Sequence, residues 1–216
     1  MGKSIIIFGK GPSVLKCTRE FVEQFEDIAI CNYPVLNTFF YDLIKNRNVN
    51  YHFCNCGSFD ARYNDNINKK LNIQKIVNTN TGVNNYKKFL KNDSLFLNEN
   101  FRTPILSFFK KNYNLDPSTG TICIKYIIDS NKYNKIGLVG FDNFKKGDQT
   151  YYFKPSEYST EGKRIISCNL IKKNGIFNII SGHDPDKSKI YIEDCIEKNK
   201  NIEFKIISNE NYLIKE

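Results

Sequence analysis

Short, β-branched apolar runs alternate with stretches of helical periodicity along most of the chain, and this rhythm restricts the fold more than any other feature. Residues 4–8, Ser-Ile-Ile-Ile-Phe, form an unbroken apolar run that ends at Gly9, the pattern of a strand covered on both faces. Runs at 27–31, 50–54, 74–78, 135–139 and 202–207 read as further strands. Between them, 14–25 carries apolar residues at positions 14, 15, 21, 22 and 25, a helical spacing, and 36–44 and 185–198 also read as helices. Residues 119–130 form a fourth helix with Ile122, Ile124, Ile127 and Ile128 turned inward. Strand and helix in this order predict an α/β protein: a Rossmann-like parallel sheet with helices on both faces. One stretch, 144–180, breaks the rhythm with Lys145-Lys146-Gly147-Asp148, Tyr151-Tyr152-Phe153, Pro155, Gly162 and Gly175. It is too long for an ordinary connection, and its aromatic residues suggest a lid. The expected organisation is an α/β domain over 1–144, a lid insertion over 145–182, and a return to the α/β domain over 183–216.

A chain of 216 residues suits one domain and buries about 70% of its unfolded surface without disulfide or metal support. No apolar run approaches the roughly 20 residues of a membrane span, and the first residues lack a signal core. A soluble, cytoplasmic protein is expected. Seven cysteines, an odd number, point to free thiols in a reducing compartment. Cys54 and Cys56, with His52 and His183 as the only histidines, do not assemble a zinc site. The net charge of +9 is spread over scattered pairs such as Lys69-Lys70, Lys87-Lys88 and Lys172-Lys173. That pattern favours attraction to anionic small molecules or a peripheral membrane contact over specific nucleic-acid binding.

Gly9-Lys10-Gly11-Pro12-Ser13 follows the first strand and opens the first helix. Such a turn either brings backbone amides close to a ligand phosphate or serves only as a structural corner. The dinucleotide fingerprint does not fit, because its third glycine falls on Val14 and Cys31-Asn32 replaces the ribose-binding acid. Asn32 and Asn55 end successive strands, where open α/β sheets bind ligands, and an amide both donates to phosphate and accepts from a sugar hydroxyl. Ser118-Thr119-Gly120 starts a helix, as an N-cap or as an anion cradle. Gly140-Phe141-Asp142 again follows a strand directly. Asp184-Pro185 reads as an N-cap with proline at the first helical position, so Asp184 and Asp186 need no metal to explain them. His183, just before that boundary, suits a general base near neutral pH. His52 lies inside the third strand and reads as a core residue.

Taken together, Gly9-x-Gly11-Pro12-Ser13, Cys31-Asn32, Asn55, Ser118-Thr119-Gly120, Gly140-Phe141-Asp142 with Phe144, Tyr151-Tyr152-Phe153 and Ser181-Gly182-His183 resemble, in order and spacing, the bacterial sialyltransferases of glycosyltransferase family 42, such as the Campylobacter lipooligosaccharide enzymes. The resemblance spans residues 4 to about 212. It implies a GT-A-like variant of the nucleotide-binding fold with a lid, a CMP-sialic acid donor and a glycan acceptor, lipid-linked or free. It further implies inversion at the anomeric carbon with neither metal nor cofactor, and allows a homo-oligomer. His183 matches the family's general base. Tyr151, or Tyr152 in the alternative register, matches a tyrosine that stabilises the departing phosphate. The glycine turn, Asn32, Asn55, Ser118 to Gly120, Gly140 to Asp142 and Phe144 match the donor-binding positions. Three positions depart from the family: Lys10 for asparagine, Phe144 for the second phosphate-binding tyrosine, and Asp116 for arginine. Lys10 supplies a charge and Tyr152 a hydroxyl that replace what is lost; another CMP-activated acidic sugar, or a noncatalytic binding module, fits the same departures. CMP leaves with less charge than a nucleoside diphosphate, so hydroxyl and amide donors suffice to stabilise it. Transfer is therefore expected to survive excess chelator. Loss of activity in EDTA, with recovery on adding magnesium or manganese, would contradict this chemistry.

Overall fold

The computed structural model describes residues 2–32, 38–54, 71–79, 102–142, 170–173, 176–179, 184–209 and 212. Six strands form one parallel sheet: β1 (Lys3–Phe8), β2 (Asp27–Cys31), β3 (Tyr51–Cys54), β4 (Ile76–Asn78), β5 (Tyr133–Val139) and, last in the chain, a strand at Glu203–Ile207. A separate antiparallel pair, β6 (Leu170–Lys173) and β7 (Ile176–Ile179), precedes that final strand, which is therefore β8. The sheet order is β4-β3-β2-β1-β5-β8. The chain moves outward from β1 to β4, then returns to the far side of β1 for β5 and β8.

Helices cover both faces because alternate residues of each strand point to opposite sides. On one face Ile6, Phe8, Ile28 and Ile30 pack with Val14, with Val22 of α1 (Arg19–Val22), and with Phe40 and Leu43 of α2 (Thr38–Ile44). On the other face Ile5, Ile7, Phe53 and Leu138 meet Phe109 of α3 (Arg102–Tyr113), Ile122, Ile124 and Ile127 of α4 (Thr119–Asp129), and Tyr191 and Ile192 of α5 (Pro185–Lys198). Each fully buried aliphatic or aromatic side chain contributes about 1.5–3 kcal/mol relative to exposure, so the two-sided burial of β1 explains its unbroken apolar sequence.

The six sheet strands fall where the apolar runs place them, with ends differing by a few residues. The helix expected over 14–25 is instead a 3-10 turn (Pro12–Lys16) followed by α1. Cys17 and Thr18 are extended, and the Thr18 hydroxyl accepts from the Phe21 amide, so a side chain competes with helix continuation and restarts it. The apolar spacing still describes the buried side, since Val14, Val22 and Phe25 share one core. Helix α3 and the β6–β7 pair have no counterpart among the sequence expectations. Pro104 stands in the first turn of α3, where missing amides are tolerated, and the Phe109 and Tyr191 rings lock α3 to α5 edge-on at 4.7 Å. Strands β6 and β7 flank Asn174-Gly175, a dipeptide that favours tight hairpins. The rest of the expected lid, 145–169, 174–175 and 180–182, lies outside the described residues.

The corner where β1 and β5 end requires a glycine. Gly140 has φ +77°, and a Cβ there would come 2.5 Å from Val14 Cγ2. Gly140→Ala is expected to cost about 1–3 kcal/mol, read as a lowered urea midpoint. An unchanged midpoint would show that the corner is loose.

Candidate functional site

The sheet order reverses between β1 and β5, so their outgoing loops diverge and leave a crevice at the carboxyl edge. The Gly9–Ser13 turn, Asn32, Thr79, Gly140 to Asp142, and Ser208 with Asn209 all leave strands on this edge.

The glycine turn is docked onto protein. Gly9 N–H donates to the Val139 carbonyl at 2.7 Å and Gly11 N–H to the Gly140 carbonyl at 2.9 Å. Ser13 N–H donates to Asp142 Oδ2 at 2.8 Å, and Val14 N–H to the Gly11 carbonyl at 3.1 Å. Pro12 has no amide hydrogen. Neighbouring strand ends thus engage the Gly9, Gly11 and Ser13 amides, which is the structural corner that the turn's sequence allows. Gly11 is required by that same closeness, because a Cβ would strike the Asp142 carboxylate and lie 2.8 Å from the Gly140 oxygen. Ser13 is fully buried and its hydroxyl donates to the Ile207 carbonyl at 3.1 Å. Of this turn, half-buried Lys10 carries the functional group best suited to an anion.

Asn32 has a left-handed backbone, φ 56°, a conformation asparagine tolerates better than most residues. Its amide donates to the Phe53 carbonyl at 2.6 Å, continuing the β2–β3 ladder past the strand end. Directly behind, His52 is wholly buried on β3, in register with Ile30 and Ile76. Burial first, and the Lys10 ammonium second, push its pKa down to about 3, against a smaller opposing contribution from the Asn32 backbone. His52 is a core residue, as its sequence position implies, and it also backs the site.

Helix α4 presents its N-terminus to the same edge. Ser118 caps it, accepting from Thr121 N–H at 3.2 Å and sharing a 2.7 Å hydrogen bond with the Thr121 hydroxyl. Of the two roles open to Ser118, the cap is the one observed. The amides of Thr119 and Gly120 precede the first intrahelical bonds and have no acceptor within the helix, and the dipole of this eleven-residue helix favours an anion there. The Phe141 ring packs beside Gly120, 2.9 Å from where a Cβ would stand. The Thr119 and Thr79 hydroxyls lie 3.3 Å apart. Thr79, buried at the end of β4, was not singled out by sequence, although it follows its strand as Asn32 and Asn55 follow theirs.

Asn55, Phe144, Tyr151, Tyr152 and His183 lie outside the described residues. Asp184, next after His183, caps α5 by accepting from Lys187 N–H at 3.1 Å, and this bond lowers its carboxyl pKa first of all. Among the described residues no His, Cys, Asp or Glu side chains group as metal ligands. Cys17, Cys31, Cys54, Cys123 and Cys195 are buried and outside any disulfide, and burial pushes the Cys17 and Cys195 thiols up to about 12.

No protein-family model matches the sequence, and no curated protein does. Solved structures do. The chain is similar to the sialyltransferase CstII from Campylobacter jejuni in complex with cytidine-5'-monophosphate, with a TM-score of 0.64 and 17% identity over 98% of this chain and 82% of that one. Monomeric CstII gives a TM-score of 0.63 at 16% identity, and the complex with CMP-3FNeuAc gives 0.60 at 17%; each match covers 95% of this chain and 81% of the other. The α/β sheet and its helices thus share the fold of CstII. At this identity, the likeness is one of fold.

The burial of His52 has a measurable consequence. The folded chain leaves it neutral down to about pH 3, whereas the unfolded chain protonates it near 6.5. Unfolding then takes up a proton, so stability falls as pH drops below about 6.5, by at most about 1.4 kcal/mol per unit. The lowered carboxylates Glu20, Asp184 and Asp194 act mainly below their ordinary 4.5 and 3.8. Urea unfolding at pH 6.5 and pH 5 is expected to show this slope, and His52→Gln to flatten it. Equal slopes would contradict the buried, neutral imidazole.

Proposed function

We propose that this chain is an inverting glycosyltransferase that takes sialic acid from CMP-sialic acid and places it on a glycan hydroxyl. The observation that carries this reading is the fold shared with CstII over nearly the whole chain, with Lys10, Asn32, Thr79 and the α4 N-terminus gathered on the sheet edge where such folds bind ligands. Asn32 and Asn55 would hold the nucleotide. The Thr119 and Gly120 amides suit the sugar carboxylate, and Lys10 sets a positive charge beside the phosphate. Gly9, Gly11, Gly140 and Phe141 shape the floor, and Phe144 is assigned to the donor site by the sequence resemblance alone.

The reaction is a single displacement. His183 accepts the proton of the acceptor hydroxyl, the oxygen attacks the anomeric carbon, and CMP departs from the opposite face. Tyr151, or Tyr152, donates its hydroxyl to the leaving phosphate. Amide and hydroxyl donors placed in advance stabilise charge as it develops, so the step needs no metal or other cofactor. No helix among the described residues is long and apolar enough to cross a membrane. A cytoplasmic enzyme that meets lipid-linked acceptors through peripheral contact, as a monomer or homo-oligomer, accords with the +9 charge. One observation favours a noncatalytic nucleotide- or glycan-binding module instead: exposed Asp116 sits two residues before the α4 cap and adds a negative charge at that end.

The test is CMP release from CMP-sialic acid, with and without a lactose-type acceptor. Acceptor-stimulated release is expected, and His183→Ala is expected to lower it about 10²-fold or more while CMP affinity stays near that of the parent. A parent protein that neither binds CMP nor releases it would overturn the proposal.

A further inference from the structure

Resting on the nucleotide-sugar reading, we propose that Asp142 is a positioning residue: its carboxylate fastens the Gly9–Ser13 turn to the segment after β8 and thereby sets where Lys10 stands, without touching the donor. Asp142 is 6% exposed. Its Oδ2 accepts from Ser13 N–H at 2.8 Å, and its Oδ1 accepts from Asn209 N–H at 2.6 Å. Ser208 Oγ lies 3.0 Å from both Oδ1 and the Phe141 carbonyl and shares one proton between them.

Asp142 supplies what the turn lacks locally. Gly11 occupies the cap position of the 3-10 turn and has no side chain to satisfy the first amides. Asp142, 129 residues from Ser13 in sequence, performs that capping from the end of β5. A carboxylate is the right group, because it only accepts, offers several lone pairs, and its charge strengthens each bond. Bonds around it converge on the same corner. Ser13 Oγ donates to the Ile207 carbonyl, Gly140 N–H to the same oxygen at 3.2 Å, and Tyr212 OH to the Phe141 carbonyl at 2.6 Å. The ends of β1, β5 and β8 are thus held as one piece, and the residues after β8 become part of the site's frame. With its Gly9, Gly11 and Ser13 amides engaged by this frame, the turn meets an anion through Lys10, whose position depends on how the turn is held.

Asp142→Asn tests this in the full chain, since the amide keeps the shape but turns an N–H₂ toward a donor. Exchange of the Ser13 and Asn209 amides, followed by NMR without ligand, is expected to accelerate about ten-fold or more. CMP affinity is expected to fall about ten-fold. Lys10→Ala is expected to weaken CMP binding in the parent but to add little in Asp142→Asn, because both substitutions remove one effect. A general loss of stability would not produce that non-additivity. Where Asp142→Asn folds poorly, Ser208→Ala, which removes one donor, is expected to move exchange and affinity in the same direction by less. Unchanged exchange, unchanged CMP affinity, or strictly additive losses with Lys10→Ala would each overturn the proposal. A parent that binds no CMP while Asp142→Asn still accelerates exchange would instead leave the fastening intact and remove the nucleotide reading, together with any role in donor placement.

Discussion

The parallel ladder between β1 and β5 does not stop where the strands stop. Gly9 and Gly11 continue it by donating to Val139 and Gly140, and Gly140 donates on to Ile207 of β8. This continuation depends on backbones coming closer than a Cβ allows at Gly11, and on a left-handed residue at Gly140. Because β1 and β5 flank the point where sheet order reverses, the same contact fixes the floor of the crevice and the direction of the loops around it.

Charge is sorted around that floor. Asp142 is turned inward and satisfied by protein donors, while Lys10 and the N-terminus of α4 both lie at the carboxyl edge. An anion entering there meets positive potential from a side chain and a helix end, in a surface already carrying excess lysine. His52 stays neutral, so it adds nothing to the positive charge that Lys10 brings.

The sheet was legible in the sequence because burial on both faces leaves long apolar runs such as Ile5-Ile6-Ile7. Helix α5 was equally clear, announced by Asp184 and Pro185 at its start. Periodicity alone could not show that Thr18 interrupts the first helical stretch, since Val14 and Val22 are buried either way. In the site, strand-end position identified Asn32 and the glycine turn. It did not reveal which amides the protein keeps for itself, because Asp142 and Ser13 meet only in three dimensions. Thr79 escaped notice because a threonine after a short strand carries no motif, and its partner Thr119 is 40 residues away.

The most direct test of the central claim, a CMP site on the carboxyl edge at the β1–β5 reversal, is an amide-shift titration of isotope-labelled protein with CMP. The expected result is saturable shifts at Lys10, Asn32, Thr79, Thr119 and Gly120, with Lys3, Lys132 and Glu203 at the opposite edge unmoved. No saturable shift, or shifts confined to that opposite edge, would contradict it.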